Sequence, residues 1–340
     1  MSTRQHPDTV LLTEGRQLPS LPVVDHYAGS EKLMRRAMAM QVEYSRDGIP
    51  AIDITFDCED GAAVGNERQH AELVASLLMS PENQFGRIGV RIHDVTHPCW
   101  LADLQCLIRK AGPRIAYVTL PKARSLDDVK LALHALRDCE AQHHIVRHAP
   151  RPIPLHVLIE THGALRDVWA IATLPGVESL DFGLMDFVSS HHGALDASTM
   201  TSPGQFDHPL LRRAKSDIVA AALAHAIVPT HNVTTELRDQ ARILQDAGRA
   251  RQEFGFLRMW SIHPNQVEAI LAAMRPDGGA LQEATDILGA AQDADWGPTQ
   301  RDGQLHDRAS YRYYWNLLKR AHAIGCDMPA AARKRFFELH

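Results

Sequence analysis

The stretch IAYVTLPKARSLDDVKLALHAL, residues 115–136, holds one complete structural unit. Ile115 to Pro121 is a short apolar run of the kind a strand covered on both faces shows. Ser125 followed by Asp128 is a capping-box signature, and Val129, Leu133 and Leu136 recur at helical spacing behind it. A strand, a turn and a helix therefore fit in little more than twenty residues. The same unit recurs on both sides. Further strands are expected at 21–27, 51–58, 87–93, 153–160, 180–187, 226–231 and 258–263. Helical patterns begin at Ser30, Asn66 and Pro98 and run through 165–174, 210–224, 237–247 and 267–274. Parallel strands need crossover connections, and helices are the usual ones. Eight such units within about 275 residues predict a TIM (β/α)8 barrel. An open doubly wound sheet is the rival, but no G-x-G-x-x-G or P-loop follows the first strand.

Two segments fall outside the repeat. Val188–Asp207 reads as a polar loop without internal structure, a candidate lid. From Arg275 onward a helical stretch, a polar break at 296–307 and a basic-aromatic tail follow. The expected organisation is a TIM-barrel catalytic domain over 1–274 with a C-terminal helical extension over 275–340. Tyr311, Tyr313, Tyr314, Trp315, Leu317 and Leu318 would leave an apolar patch on a free monomer, so the extension is expected to pack on a neighbouring subunit.

Composition narrows the function. The 340 residues carry 36 Lys and Arg against 41 Asp and Glu, a net charge of −5, with no basic run that would suit nucleic acid. The five cysteines include no C-x-x-C pair, so neither a disulfide framework nor a zinc ribbon is expected. The apolar stretches are too short to span a membrane, and the N-terminus shows no signal-peptide h-region. A cytoplasmic protein is expected.

In a TIM barrel the site lies where strands end and their following loops begin. Those positions hold Asp57, Glu59 and Asp60, then Arg91, Lys122, Glu160, Asp186 and His263. Carboxylates and cations converging on one mouth suit a metal with an anionic substrate. Glu160 and Asp186 are placed at the ends of adjacent strands, where two bare carboxylates would repel and a divalent cation removes the conflict. All-oxygen ligation favours Mg²⁺ or Mn²⁺. Arg91 suits a carboxylate or developing enolate, since a guanidinium binds two oxygens at once. Glu59 and Asp60 either ligate directly or hold a metal water or Arg91. Lys122 pairs with Glu160 or covers a phosphate, and His263 sits on a turn set by Pro264.

These residues lie in motifs that resemble the HpcH/HpaI aldolase and citrate lyase β-subunit family. The segments are FDCEDG (56–61), GVRIH (89–93, with His93 where asparagine is usual), LPK (120–122), LIET (158–161), FGLMD (182–186) and SIHPNQ (261–266). The resemblance covers about 20–270. It implies a TIM barrel in which Glu160 and Asp186 hold Mg²⁺ and Arg91 binds and polarises the substrate. Glu59 and Asp60 then stand among the catalytic groups, and Lys122 and His263 among the substrate-binding ones. It also implies a carbon–carbon lyase that cleaves or forms a 3-hydroxy acid or its CoA thioester, such as malyl-CoA or citryl-CoA, through an enolate. The partner would be a small 2-oxo or 3-hydroxy acid, free or as the thioester. Homo-oligomers, trimers or hexamers, are usual in the family. Two departures stand out: Leu21–Gly29 has no arginine and places Asp25 and His26 there, and Leu257-Arg258 replaces Gly-Lys. A thioester hydrolase on the same site and a non-catalytic assembly barrel are the alternative readings.

Overall fold

The computed structural model describes residues 5–11, 17–62, 64–146 and 151–338. It divides into two compact units, Leu21–Met274 and a second built from Met1–Ser20 with Arg275–His340.

The first unit is a closed barrel of eight parallel strands. They are β1 (Val24–Ala28), β2 (Ile52–Asp57), β3 (Ile88–Arg91), β4 (Ile115–Leu120), β5 (Leu155–Ile159), β6 (Val177–Phe182), β7 (Val228–His231) and β8 (Arg258–Ser261). Each pairs with its neighbour in sequence, and β1 closes on β8 with Asp25 beside Trp260. Strand β2, I-D-I-T-F-D, shows how the chain sorts its faces. Ile52, Ile54 and Phe56 are fully buried apolar side chains. Asp53, Thr55 and Asp57 alternate with them and reach Arg258, Asp25 and Arg91 on other strands. Period-two alternation assigns the two sets to opposite faces, the apolar one against the helices and the polar one inside the barrel.

Helices follow the strands at Glu31–Glu43, Glu67–Met79, Trp100–Ala111, Leu126–Gln142, Pro209–Ala224, Gln240–Arg249 and Pro264–Met274. Ser125 caps as its sequence suggests, its hydroxyl accepting from the Asp128 amide at 3.3 Å. The segment expected as one helix over 165–174 is two, His162–Arg166 and Val168–Thr173, broken at Asp167. The Asp167 carboxylate instead accepts the Leu126 amide at 2.9 Å, bracing the next helix over.

Three expectations are corrected here. The sixth strand spans Val177–Phe182, not 180–187, and Gly183 ends it. Asp186 therefore lies in the first turn of a short helix, Leu184–Ser189, rather than on a strand end. The Val188–Asp207 loop is not structureless, since Ala197–Met200 forms a 3-10 turn and Gly204–Asp207 a helical one. The polar break at 296–307 contains a hairpin, Thr299–Arg301 with Gln304–His306. Asp302 and Gly303, both at positive φ, make the two-residue turn such hairpins favour.

In the second unit the helices Gly278–Asp293 and Arg308–Ala323 bury Leu281, Leu288, Tyr311, Trp315 and Leu318 in one apolar cluster. Tyr311, Trp315 and Leu318 are thus covered within the chain, whereas Tyr313 is exposed. The sequence reading placed residues 1–20 with the barrel, but the described N-terminal residues make their contacts here. Trp315 Nε1 donates to Asp8 at 2.7 Å, and Trp296 Nε1 to the Gln5 carbonyl at 3.2 Å. Among the described residues, no helix is long and apolar enough to cross a membrane.

Candidate active site

A cavity of about 370 Å³ opens where the strands end, lined by Tyr27, Asp57, Asp60, Arg91, Glu160, Asp186, Asn232 and Trp260, with Leu33, Met185 and Ile262 at its edge. Arg91 ends β3 beside Asp57, which ends β2 in the adjacent register position. The pair is bidentate, Nε to Oδ1 at 2.8 Å and Nη2 to Oδ2 at 2.5 Å. Arg91 Nη1 lies 3.1 Å from Glu59, and the guanidinium stands 5.3 Å from the Tyr27 ring centre. One hydrogen on each Nη stays available to a ligand. Burial disfavours the charge on Arg91, but its bonds to Asp57 and the charge of Glu59 outweigh that and raise its pKa. Arg91 is a permanent cation held in one orientation.

The loop after β2 is folded around Asp57. Its carboxylate accepts the amides of Glu59 at 2.9 Å and Gly61 at 2.8 Å. A Cβ on residue 61 would come 2.3 Å from Asp57 Oδ2, so only glycine permits the turn. The sequence placed Asp57 on the rim without a task, and its task is to clamp Arg91.

Lys122 sits at positive φ, rare for a residue with a side chain. That conformation aims two groups in different directions. Its amide donates to Glu160 Oε1 at 2.6 Å. Its ammonium bonds Glu59, and Asp60 at 2.7 Å. The expected Lys122–Glu160 pairing is therefore made by the backbone, while the side chain neutralises the loop acids. Burial raises the pKa of Glu59 against the pull of Arg91 and Lys122, whereas for Asp60 the Lys122 bond overcomes burial and lowers it.

Glu160 is only 3% exposed, and burial followed by the charge of Asp186 pushes its pKa up to about 8. Gly183 makes room for it, since a Cβ there would sit 2.1 Å from Glu160 Oε2. Among the described residues neither Glu160 nor Asp186 has an ion-pair partner, because Arg91 and Lys122 are engaged by Asp57, Glu59 and Asp60. An uncompensated pair of carboxylates on a cavity wall fits a hard divalent cation. The described residues include no cluster of three or more His, Cys, Asp or Glu arranged as a metal cage. Two protein carboxylates would leave most of such a cation's coordination to water and substrate, which suits Mg²⁺.

His263 does not line the cavity, and its Nδ1 faces the Asn265 amide at 3.2 Å inside its own turn. His26 is also turned away, its Nδ1 at 3.1 Å from Ser261 Oγ. Burial, with His263 and Arg36 adding to it, lowers the His26 pKa to about 4. Asn232, after β7, and the stacked Tyr27–Trp260 pair at 4.1 Å are cavity residues the sequence did not single out. None carries a charge to draw attention.

Comparison with known proteins agrees with the barrel fold. The family model described as HpcH/HpaI aldolase/citrate lyase matches residues 47–264. A crystal structure of a citrate lyase from Burkholderia xenovorans LB400 is 52% identical and superposes with a TM-score of 0.86, over 98% of this chain and 100% of that one. The L-malyl-CoA/beta-methylmalyl-CoA lyase of Cereibacter sphaeroides is 27% identical over 285 residues, 80% of this chain and 87% of that protein. The protein CitE of Mycobacterium tuberculosis, crystallised in complex with magnesium, acetoacetate and coenzyme A, has a TM-score of 0.65 at 21% identity, over 88% of this chain and 97% of that one. At that identity the likeness is one of fold.

Proposed function

The chain belongs to the HpcH/HpaI aldolase/citrate lyase family, and on that premise we propose that the cavity cleaves or forms a carbon–carbon bond of a 3-hydroxy acid held as its CoA thioester. The chain is a carbon–carbon lyase of the CoA-ester class. The observation that carries the finer reading is the Glu160–Asp186 pair, without an ion-pair partner among the described residues and lining the same cavity as the clamped Arg91. Glu160 and Asp186 would hold Mg²⁺, which supplies a Lewis acid next to the substrate's carboxylate and its neighbouring oxygen. Arg91 offers its two free N–H groups to oxygens that gain charge as the bond breaks, a preorganised donor that needs no rearrangement at that moment. In the cleavage direction the 3-hydroxyl gives up its proton as its carbon becomes the carbonyl of the 2-oxo acid. The electron pair of the broken carbon–carbon bond passes to the thioester carbonyl as an enolate, and the α-carbon of that enolate takes up a proton. Asp57 keeps Arg91 in register for that task. Lys122 holds Glu59 and Asp60 as a neutralised rim and steadies Glu160 through its amide.

The test is a coupled assay against malyl-CoA, citryl-CoA and free oxoacids, with Mg²⁺ and with chelator. The expected result is release of an acyl-CoA and a 2-oxo acid that stops on chelation. Turnover insensitive to chelator, or release of the intact hydroxy acid with free CoA, would overturn the reading.

A further inference from the structure

We propose that Asn232 is a specificity residue whose side-chain oxygen receives a hydrogen bond from the substrate, so that the ligand must carry a hydroxyl or amide N–H besides its anionic oxygens. The inference rests on the cavity being the substrate site proposed above. Asn232 is 1% exposed and lines the cavity, and its Oδ1 is buried with no partner among the described residues.

Which side-chain atom of Asn232 is left without a partner is settled by a chain of donors and acceptors. The Asp246 carboxylate can only accept. It takes the hydroxyls of Ser202 at 2.5 Å and Thr234 at 2.8 Å. Gln205 directs its Nε2 at Ser202 Oγ, 3.0 Å, and Asp246 Oδ2, 3.5 Å. Its Oε1 must then face the other way, where it accepts from Asn232 Nδ2 at 2.9 Å. The second hydrogen of Asn232 Nδ2 goes to the Val233 carbonyl at 2.7 Å. Turning the Asn232 amide over would set its oxygen against two acceptors, and turning Gln205 as well would set an oxygen against Asp246. Only one arrangement satisfies all five groups, and it leaves an acceptor unpaired.

That acceptor contrasts with the rest of the site. Arg91 and a cation on Glu160 and Asp186 call for negative oxygen, whereas Asn232 calls for a donor. Its neighbours on the cavity wall, Val233, Trp260 and Ile262, are largely apolar, so a ligand that fails to supply the donor leaves a buried polar atom unsatisfied. Two parts of a thioester substrate could supply it: a hydroxyl of the acid, or an amide N–H or the hydroxyl of the pantetheine arm.

Calorimetric titrations in Mg²⁺ distinguish the sources without turnover. The probes are L-malate, succinate, which lacks the hydroxyl, and acetyl-CoA, which lacks the acid's hydroxyl but carries the donors of the coenzyme arm. Asn232→Leu should weaken one donor-bearing probe about tenfold and leave succinate unchanged. Loss confined to L-malate identifies the hydroxyl of the acid, and loss in acetyl-CoA identifies a donor of the coenzyme arm. Gln205→Met leaves the cavity wall in place but frees the Asn232 amide to turn, and should give a smaller loss with the same probe. It also keeps the test open if the leucine variant does not fold. Unchanged affinity for both donor-bearing probes, or a wild type that binds neither, overturns the proposal. A lyase indifferent to both variants sinks the acceptor role alone. A protein that binds through Asn232 yet cleaves no thioester sinks the proposed reaction instead.

Discussion

Replacing Glu160 by glutamine should abolish tight Mg²⁺ binding and yet stabilise the metal-free protein at alkaline pH. In the chelated wild type, burial and the facing charge of Asp186 move the Glu160 carboxyl from 4.5 to about 8. An acid whose pKa is raised by folding binds its proton more tightly in the native state. Stability is then greatest below the unfolded value and declines as pH rises towards the folded one. At about 1.36 kcal/mol for each pH unit, the decline between pH 4.5 and 8 is on the order of 5 kcal/mol as an upper bound. Glutamine has no charge to desolvate. Its oxygen can still accept the Lys122 amide that reaches Glu160 at 2.6 Å. Urea unfolding in EDTA at pH 5.5, 7 and 8.5 reads the effect: wild-type stability should fall across the series while that of Glu160→Gln stays nearly flat and overtakes it. Saturating Mg²⁺ should restore the wild type at pH 8.5 and do nothing for the variant. A flat wild-type profile, or a variant less stable than wild type at every pH, would refute the reasoning.

Gly183→Ala should cost about 1–3 kcal/mol and weaken Mg²⁺ binding, because its Cβ would sit 2.1 Å from Glu160 Oε2 and displace a ligand; wild-type melting and affinity together would show that the contact is relieved at no cost. Lys215 is fully buried, donates to His231 Nε2 at 2.7 Å and lies 4.0 Å from the Phe206 ring centre. Burial, reinforced by Arg249 and opposed by Asp246 and Glu253, lowers its pKa well below the usual lysine value, so the native state loses stability as pH falls. Lys215→Met should flatten that acid limb while losing about 1 kcal/mol at high pH for the His231 bond, and parallel pH profiles in denaturant melts would count against it. If the extension packs on a neighbouring subunit, aspartate at the exposed Leu305 and Tyr313 should reduce the assembled mass in light scattering, and an unchanged mass would remove that expectation.

Much of the fold was legible because each βα unit repeats one pattern, and the residues 115–136 carry its strand, cap and helix in order. Most strand boundaries follow. The sixth does not, because Leu184, Met185 and Phe187 are as apolar as the strand before them and periodicity cannot separate a buried strand from a buried helical turn. What divides them is Gly183, and its necessity comes from Glu160 on another strand. The rim carboxylates were legible for a similar reason: charge at a strand's end stands out against its apolar run. Lys122 was ambiguous because its role depends on a left-handed backbone that separates amide from ammonium. Asn232 was invisible, since its meaning comes from Gln205 and Asp246, which are distant in sequence and uncharged or unremarkable in pattern.

The barrel's interior sharpens why two rim carboxylates matter among so many. TIM-barrel interiors are commonly filled by branched apolar residues, but here the inward positions carry Asp25, Asp53, Tyr117, His156 and Arg258, all fully buried. Buried charge is tolerable only when paired and bonded, and most of these are. Arg258 lies 3.0 Å from Asp25 and 2.9 Å from Asp53. Arg87 reaches Asp53 at 2.7 Å, and Glu178 has Arg151 at 2.5 Å and His156 at 3.1 Å. Asp57 has Arg91, whereas Asp181, equally buried, has no ion pair among the described residues and takes the Ser179 hydroxyl. A structural reading of Glu160 and Asp186, two acids lining one cavity, would lead one to look for a cation from the chain paired with them, as most of the interior acids have. The chain supplies Arg91 and Lys122 within reach and commits both to other acids. Two carboxylates that line one cavity and have no ion-pair partner among the described residues are therefore the place where a charge from outside belongs.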